Sequence, residues 1–326
     1  MKNAAFIVLI ILNVACNDNT DDEFDPSSTS YRQEMRTFVE SISTYAHSKN
    51  ANFIIIPQNG IELITQDGEP DGTLATSYID AIDGVGQEDL FYGYNNDNEA
   101  TPTPDNQYLT SFLSRLIDVE KRVLVTDYCS TPLKMDDSYV LNRNKQYISF
   151  AAPDRELSVI PTYPTPVFAE NSNNVSNLFD ADNFLYLINP SNFSSADDMI
   201  AQMKATNYDV LIIDAFFNDV LLTANQVNQL KLKANGGTRK VIAYMSIGEA
   251  EDYRYYWQTN WKVGNPSFIK AVNPDWAGNY KVAYWDAEWQ KVIYGSNDAY
   301  LDKLLNAEFD GTYLDIIDGF EYFENQ

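Results

Sequence analysis

Carboxyl and amide side chains stand at the ends of apolar runs along this chain: Gln58 and Asn59, Glu88, Asp127, Asp214, Glu249, Asp315 and Asp318. Unpaired carboxylates are costly inside a fold, so such groups are expected to gather on one rim where strands end. Two carboxyls in one site, one protonated and one ionised, are what cleavage of a glycosidic bond requires. Other chemistries are poorly supplied. His47 is the only histidine, which removes Ser-His-Asp and Cys-His machinery and a His-rich zinc site. Cys129 reads as a packed strand-end residue and not as a nucleophile. Carboxylates are then the natural acid and base, with no metal and no cofactor expected.

The run Val-Ile-Ala-Tyr-Met-Ser-Ile-Gly-Glu-Ala-Glu-Asp-Tyr-Arg-Tyr-Tyr at 241–256 concentrates this character. Its first half is apolar and branched, the pattern of a buried strand. At Gly248 it turns to carboxylates, Arg254 and aromatics. That is the form of a barrel strand delivering groups to its carboxyl-terminal mouth, or equally of a helix start, where acidic residues also belong. All five tryptophans, Trp257, Trp261, Trp276, Trp285 and Trp289, follow within a short span. Flat aromatic faces suit sugar rings, so one or two are expected to reach a ligand and the others to pack.

The elements that must position these groups alternate. Apolar runs at 52–56, 78–85, 122–126, 146–151, 184–188, 208–213, 239–247 and 309–315 predict eight strands. Between them lie helical patterns at 32–48, 109–117, 139–144, 196–206 and 297–307, and a helix from 223 to 235 opened by the capping box Thr223 to Gln226. Residues 280–285 form a ninth extended piece, placed in an aromatic-rich insertion after the seventh strand. Pro153, Pro161, Pro164 and Pro166 mark a long surface connection. Alternation of this kind predicts an α/β fold with a parallel sheet, and eight units predict a (β/α)8 TIM barrel. No glycine-rich phosphate loop follows the first strand, which counts against a dinucleotide fold.

Residues 1–16 have a basic start, an apolar run and Asn-Val-Ala-Cys16. They describe a lipoprotein signal peptide with Cys16 lipidated, the alternative being an ordinary signal peptide. Residues 17–30 are too acidic and too poor in apolar side chains to pack, and read as a disordered tether, leaving 31–326 as a single domain. The formal net charge of −25 argues against nucleic acid and would attract a cationic substrate. Membrane contact is expected only through the N-terminal lipid.

The run at 241–257, Trp-Asp-Ala-Glu-Trp at 285–289 and Phe-Asp-Gly-Thr-Tyr-Leu-Asp-Ile-Ile-Asp at 309–318 resemble glycoside hydrolase family 114. Ile-Pro-Gln-Asn-Gly at 56–60, Gly-Gln-Glu-Asp-Leu-Phe-Tyr at 86–92 and Asp127-Tyr128-Cys129 resemble it too. The founding activity of that family is endo-α-1,4-polygalactosaminidase. The resemblance covers about residues 31–322, but in the family the part similar to 184–322 comes first. The chain therefore resembles a circular permutation, in which strand 309–315 should pair in parallel with strand 52–56 and helix 32–48 should cover the seam. The resemblance implies Asp315 as nucleophile and Glu88 as acid/base, with Asp214, Glu249 and Asp318 competing for those roles. It further implies substrate contacts from Asp214, Glu249, Arg254, Asp318, Gln58, Asn59, Asp127, Tyr128, Tyr244 and Trp285. The implied function is retaining hydrolysis of an amino-sugar polymer, and the alternative is a surface glycan-binding lipoprotein without turnover. The acidic stretch after Cys16 resembles a lipoprotein surface-export signal, implying the cell envelope, at the outer membrane.

Overall fold

The computed structural model describes residues 30–326, so the signal peptide, Cys16 and the tether up to residue 29 lie outside the described residues. Eight parallel strands among the described residues carry the fold: β1 Ile54–Pro57, β2 Gly84–Glu88, β3 Arg122–Tyr128, β4 Ile148–Ala152, β5 Phe184–Leu187, β6 Val210–Asp214, β7 Lys240–Ser246 and β8 Gly311–Asp315. They pair in the order β1-β8-β7-β6-β5 and, separately, β2-β3-β4. A parallel bridge between Gln58 and Gly86 joins β1 to β2, and β4 packs beside β5. The result is a mixed α/β fold with a parallel central sheet. Its strands are buried on both faces, Val210 through Ile213 completely, which is why they read in sequence as unbroken apolar runs.

The predicted seam pairing is present. Ile54 to Pro57 lie in parallel register against Gly311 to Leu314. Helix α1, Tyr31–Lys49, lies over this junction and buries Met35, Phe38, Val39, Ile42 and Ala46. Each large apolar side chain so buried contributes about 1.5–3 kcal/mol. Polar ties bind α1 to the opposite end of the chain: Tyr45 donates to Asp302 at 2.6 Å and Arg32 pairs with Glu324 at 3.1 Å.

Several boundaries differ from the sequence expectation. The strand expected at 78–85 is a short helix, α2 Thr76–Asp80, followed by β2 at 84–88. Tyr78, Ile79 and Ile82 fall at helical spacing and all three are buried. Gly86 sits inside β2 because the Tyr313 hydroxyl takes the space of a side chain there, 1.8 Å from where a Cβ would stand. The remaining helices are α3 Thr103–Asp118, α4 Pro132–Asn144, α5 Ala196–Lys204, α6 Ala224–Leu230, α7 Ala287–Ile293, α8 Tyr300–Asn306 and α9 Phe320–Glu324. The expected capping box opens α6, with Thr223 accepting from the Gln226 amide, but the helix ends at Leu230 and not near 235.

Glu249–Glu251 is not a helix start but a short strand. It pairs antiparallel with Asn279–Val282, which pairs in turn with Ile269–Val272. Ala and Glu favour helix, but the pairing with a strand some 30 residues further on overrides that weak preference. Trp289 anchors this small sheet: it is fully buried, donates its indole N–H to Ile247 O at 2.8 Å, and packs against Tyr256 and Phe268.

Candidate active site

The strand-end groups are aimed by abrupt turns. Asn59, Asp89 and Ile316, each following a strand-end polar residue, have φ of 59°, 58° and 58°. For a β-branched residue such as Ile316 this left-handed conformation is strained. Two glycines hold it in place. A Cβ on Gly248 would stand 2.2 Å from Ile316 O, and one on Gly60 would stand 2.8 Å from Ile317 Cγ2. The turn that carries Asp315 and Asp318 is thus clamped between the ends of β7 and β1.

These ends surround a cleft of about 840 Å³. Glu88, Asp315 and Asp318 line it together with Gln58, Asn59, Tyr128, Tyr244, Asp214 and Arg254. Asp315 accepts a hydrogen bond from the Tyr244 hydroxyl at 2.6 Å, and Glu88 accepts one from the Tyr128 hydroxyl. Asn59 also donates to Glu88, at 3.3 Å, and accepts from the Glu88 backbone N–H at 3.1 Å. The Gln58 amide is oriented by Tyr186, whose hydroxyl donates to Oε1 at 3.0 Å.

The carboxyls repel one another in their partly buried setting. Burial, and secondarily the Glu88 charge, raise Asp315 from its usual range to about 7, against the Tyr244 hydrogen bond. Burial and then Glu321 raise Asp318 to about 7. Burial likewise raises Glu88, opposed by Tyr128, Asn59 and Gln58. Such a cluster titrates as a unit and can hold one carboxyl protonated beside another that is ionised.

Arg254 sits apart from this trio. Its Nη1 reaches both oxygens of Asp214 at 2.9 Å, and its Nε reaches Glu251 at 2.7 Å. The rings of Tyr253, Phe216, Tyr300 and Tyr244 surround the guanidinium at 5.3–6.0 Å. Although burial opposes the charge, Glu251 and Asp214 hold Arg254 cationic well above its ordinary value. The pair Asp214 and Arg254 therefore forms a neutralised wall of the cleft and supplies no free base.

Three expected site residues are elsewhere. Glu249 is fully buried away from the cleft, paired with Lys281 at 2.6 Å and bonded by Asn273 and Asn279, because the strand at 249–251 turns it toward the antiparallel sheet. Asp127 is fully buried and accepts from the Phe91 and Tyr92 backbone, Ser138 and Asn142, so it ties the loop after Glu88 to α4. Trp285 packs between Tyr31 and Phe323 and does not line the cleft.

Others line the cleft that sequence reasoning left unassigned: Glu251, Tyr186, Arg155 and Trp276. Glu251 could have been found, since it lies two residues from Glu249 in the same charged run. Trp276 is the tryptophan that faces the cleft, 54% exposed. Nothing in the local sequence of Tyr186 or Arg155 marks them. Among the described residues, no group of three or more His, Cys, Asp or Glu side chains could hold a metal ion.

The chain is an α/β protein with a parallel central sheet and acidic groups gathered in a cleft at its strand ends. The model of glycoside hydrolase family 114 matches residues 164–326, half of the chain, and the protein belongs to that family. An uncharacterized protein of Deinococcus radiodurans is 40% identical over 119 residues, 36% of either chain. One of Methanocaldococcus jannaschii is 35% identical over 153 residues, 47% of this chain and 42% of that one. One of Thermotoga maritima is 32% identical over 145 residues, 44% of this chain and 41% of that one. Each match thus spans less than half the length of the relative.

Proposed function

We propose that the protein hydrolyses an amino-sugar polymer with retention of configuration, using Asp315 as nucleophile and Glu88 as acid/base. The observation that carries this reading is the placement of Asp315 and Glu88 in one cleft, each gripped by a tyrosine hydroxyl. Ionised Asp315 would attack the anomeric carbon while protonated Glu88 gives its proton to the departing oxygen. Glu88, now a base, would take a proton from the water that releases the sugar from Asp315. Retention requires the two carboxyls to stand about 5–5.5 Å apart. Tyr244 would orient the nucleophile, and Trp276 would offer a face to a sugar ring.

Electrostatics support a cationic substrate. A side pocket joined to the cleft through Asn59, Glu88 and Asp318 is lined by Glu62, Asp89, Asp105 and Glu321, with no basic side chain in its lining. An ammonium group would be attracted there and an anionic glycan repelled.

The scaffold of this reading is a closed (β/α)8 barrel in circularly permuted order, with the sheet at 249–282 as its insertion. The pairing of β8 with β1, the bridge from β1 to β2 and the contact of β4 with β5 support closure. The same proposal puts the protein at the cell envelope, on the outer membrane, through lipid on Cys16. Radiolabelled palmitate incorporated by the wild type and not by Cys16→Ser would test that anchor.

Product analysis on deacetylated and acetylated galactosamine polymers, comparing the wild type with Asp315→Asn and Glu88→Gln, tests the activity. Cleavage of the deacetylated polymer by the wild type alone is expected. No cleavage of either polymer would sink the enzymatic reading, and retained affinity for them would favour the glycan-binding alternative.

A further inference from the structure

Arg155 lies just beyond β4, on the connection leading to β5, and lines the cleft. Its guanidinium makes four hydrogen bonds and one ring contact. Nη2 and Nη1 reach the two oxygens of Asp89 at 3.0 and 3.3 Å, and Nε reaches Asp97 at 2.8 Å. Nη2 also donates to Gly93 O at 2.8 Å, and the guanidinium carbon lies 3.9 Å from the Tyr128 ring centroid. Two of these partners act directly on Glu88. Asp89 is the next residue, in its left-handed turn, and the Tyr128 hydroxyl donates to the Glu88 carboxylate. Packing does not explain the arginine, whose side chain is 39% exposed.

We infer that Arg155 is a positioning residue for Glu88: it fixes the carboxyl through Tyr128 and the Asp89 turn, and it neutralises the Asp89 charge beside it. The stacked, forked contact needs a planar guanidinium, so lysine would not replace it. The groups facing Glu88 are Tyr128 from β3, Gln58 and Asn59 just beyond β1, Tyr186 from β5, Tyr313, Asp315 and Asp318 from β8 and its turn, and Asp89 next in its own chain. Asp89 raises the Glu88 carboxyl, and Arg155 in turn lowers that of Asp89. The inference rests on the reading of Glu88 as acid/base, but its test needs no turnover.

The test is a titration of the Glu88 carboxyl carbon by NMR, the signal assigned by its loss in Glu88→Gln. In Arg155→Met the midpoint is expected to rise by at least about half a unit, roughly a threefold gain in proton affinity. Adding Asp89→Asn should return it to the wild-type position. A midpoint unmoved in folded Arg155→Met, or a rise that Asp89→Asn does not reverse, overturns the inference. Should the methionine variant not fold, Arg155→Gln carries the same two outcomes. A shifted and reversible midpoint in a protein that cleaves no glycan would uphold the role of Arg155 and remove only the assignment of Glu88 as catalytic acid.

Discussion

Replacing Asp315 by asparagine should make the protein more stable at alkaline pH while abolishing hydrolysis. The folded carboxyl is raised to about 7 from an ordinary value of 3.8. Between those values the folded chain keeps a proton that the unfolded chain has released. The stability linked to this group is therefore fully present below about 3.8 and lost as pH rises through about 7. Three pKa units at about 1.36 kcal/mol each set a ceiling of about 4 kcal/mol. Access of solvent through the cleft, and coupling to Glu88 and Asp318, reduce this to about 2 kcal/mol. Asparagine keeps the shape and can still accept from Tyr244, so little else changes. Urea unfolding followed by tryptophan fluorescence from pH 4 to 9 measures the effect. The variant should match the wild type within about 0.5 kcal/mol at pH 4, exceed it by about 2 kcal/mol near pH 8.5, and show the shallower pH slope. Parallel curves, with the variant equal or weaker at pH 8.5, would refute the reasoning that burial raises this carboxyl.

Three further outcomes are expected. Lys233→Met should destabilise by about 3–5 kcal/mol, because Lys233 and Asp209 pair at 2.8 Å with both side chains wholly buried and the aspartate would lose its counter-charge; adding Asp209→Asn should restore most of the loss in the same urea assay. Gly248→Ala forces a Cβ to within 2.2 Å of Ile316 O, so the Asp315 turn must shift, and polymer hydrolysis should fall at least tenfold, about 1.4 kcal/mol in the barrier. Trp276→Ala, at a half-exposed position, should leave unfolding unchanged yet weaken affinity electrophoresis on the deacetylated polymer by roughly 1 kcal/mol.

The strand content was legible because parallel strands buried on both faces must be apolar along their whole length, as β6 and β7 are. Where glycine enters a strand the signal fades. Gly84 and Gly86 hid β2, and the adjacent Tyr78, Ile79 and Ile82 drew the reading toward a strand where a helical turn stands. The α6 capping box was readable because both partners lie within one turn of chain.

Which polar residues share a site depends on partners far apart in the chain. Glu249 and Glu251 stand in one charged run with the same local character. Lys281, far along the chain, withdraws the first, and Arg254 holds the second against the cleft with Asp214. Asp127 looked like its strand-end neighbours until Ser138 and Asn142 of α4 closed over it. Residue type and strand position could nominate the carboxylates, because apolar patterning is written locally. Only the folded chain decided which of them are satisfied by distant partners and which are left crowded together in the cleft, as Glu88, Asp315 and Asp318 are.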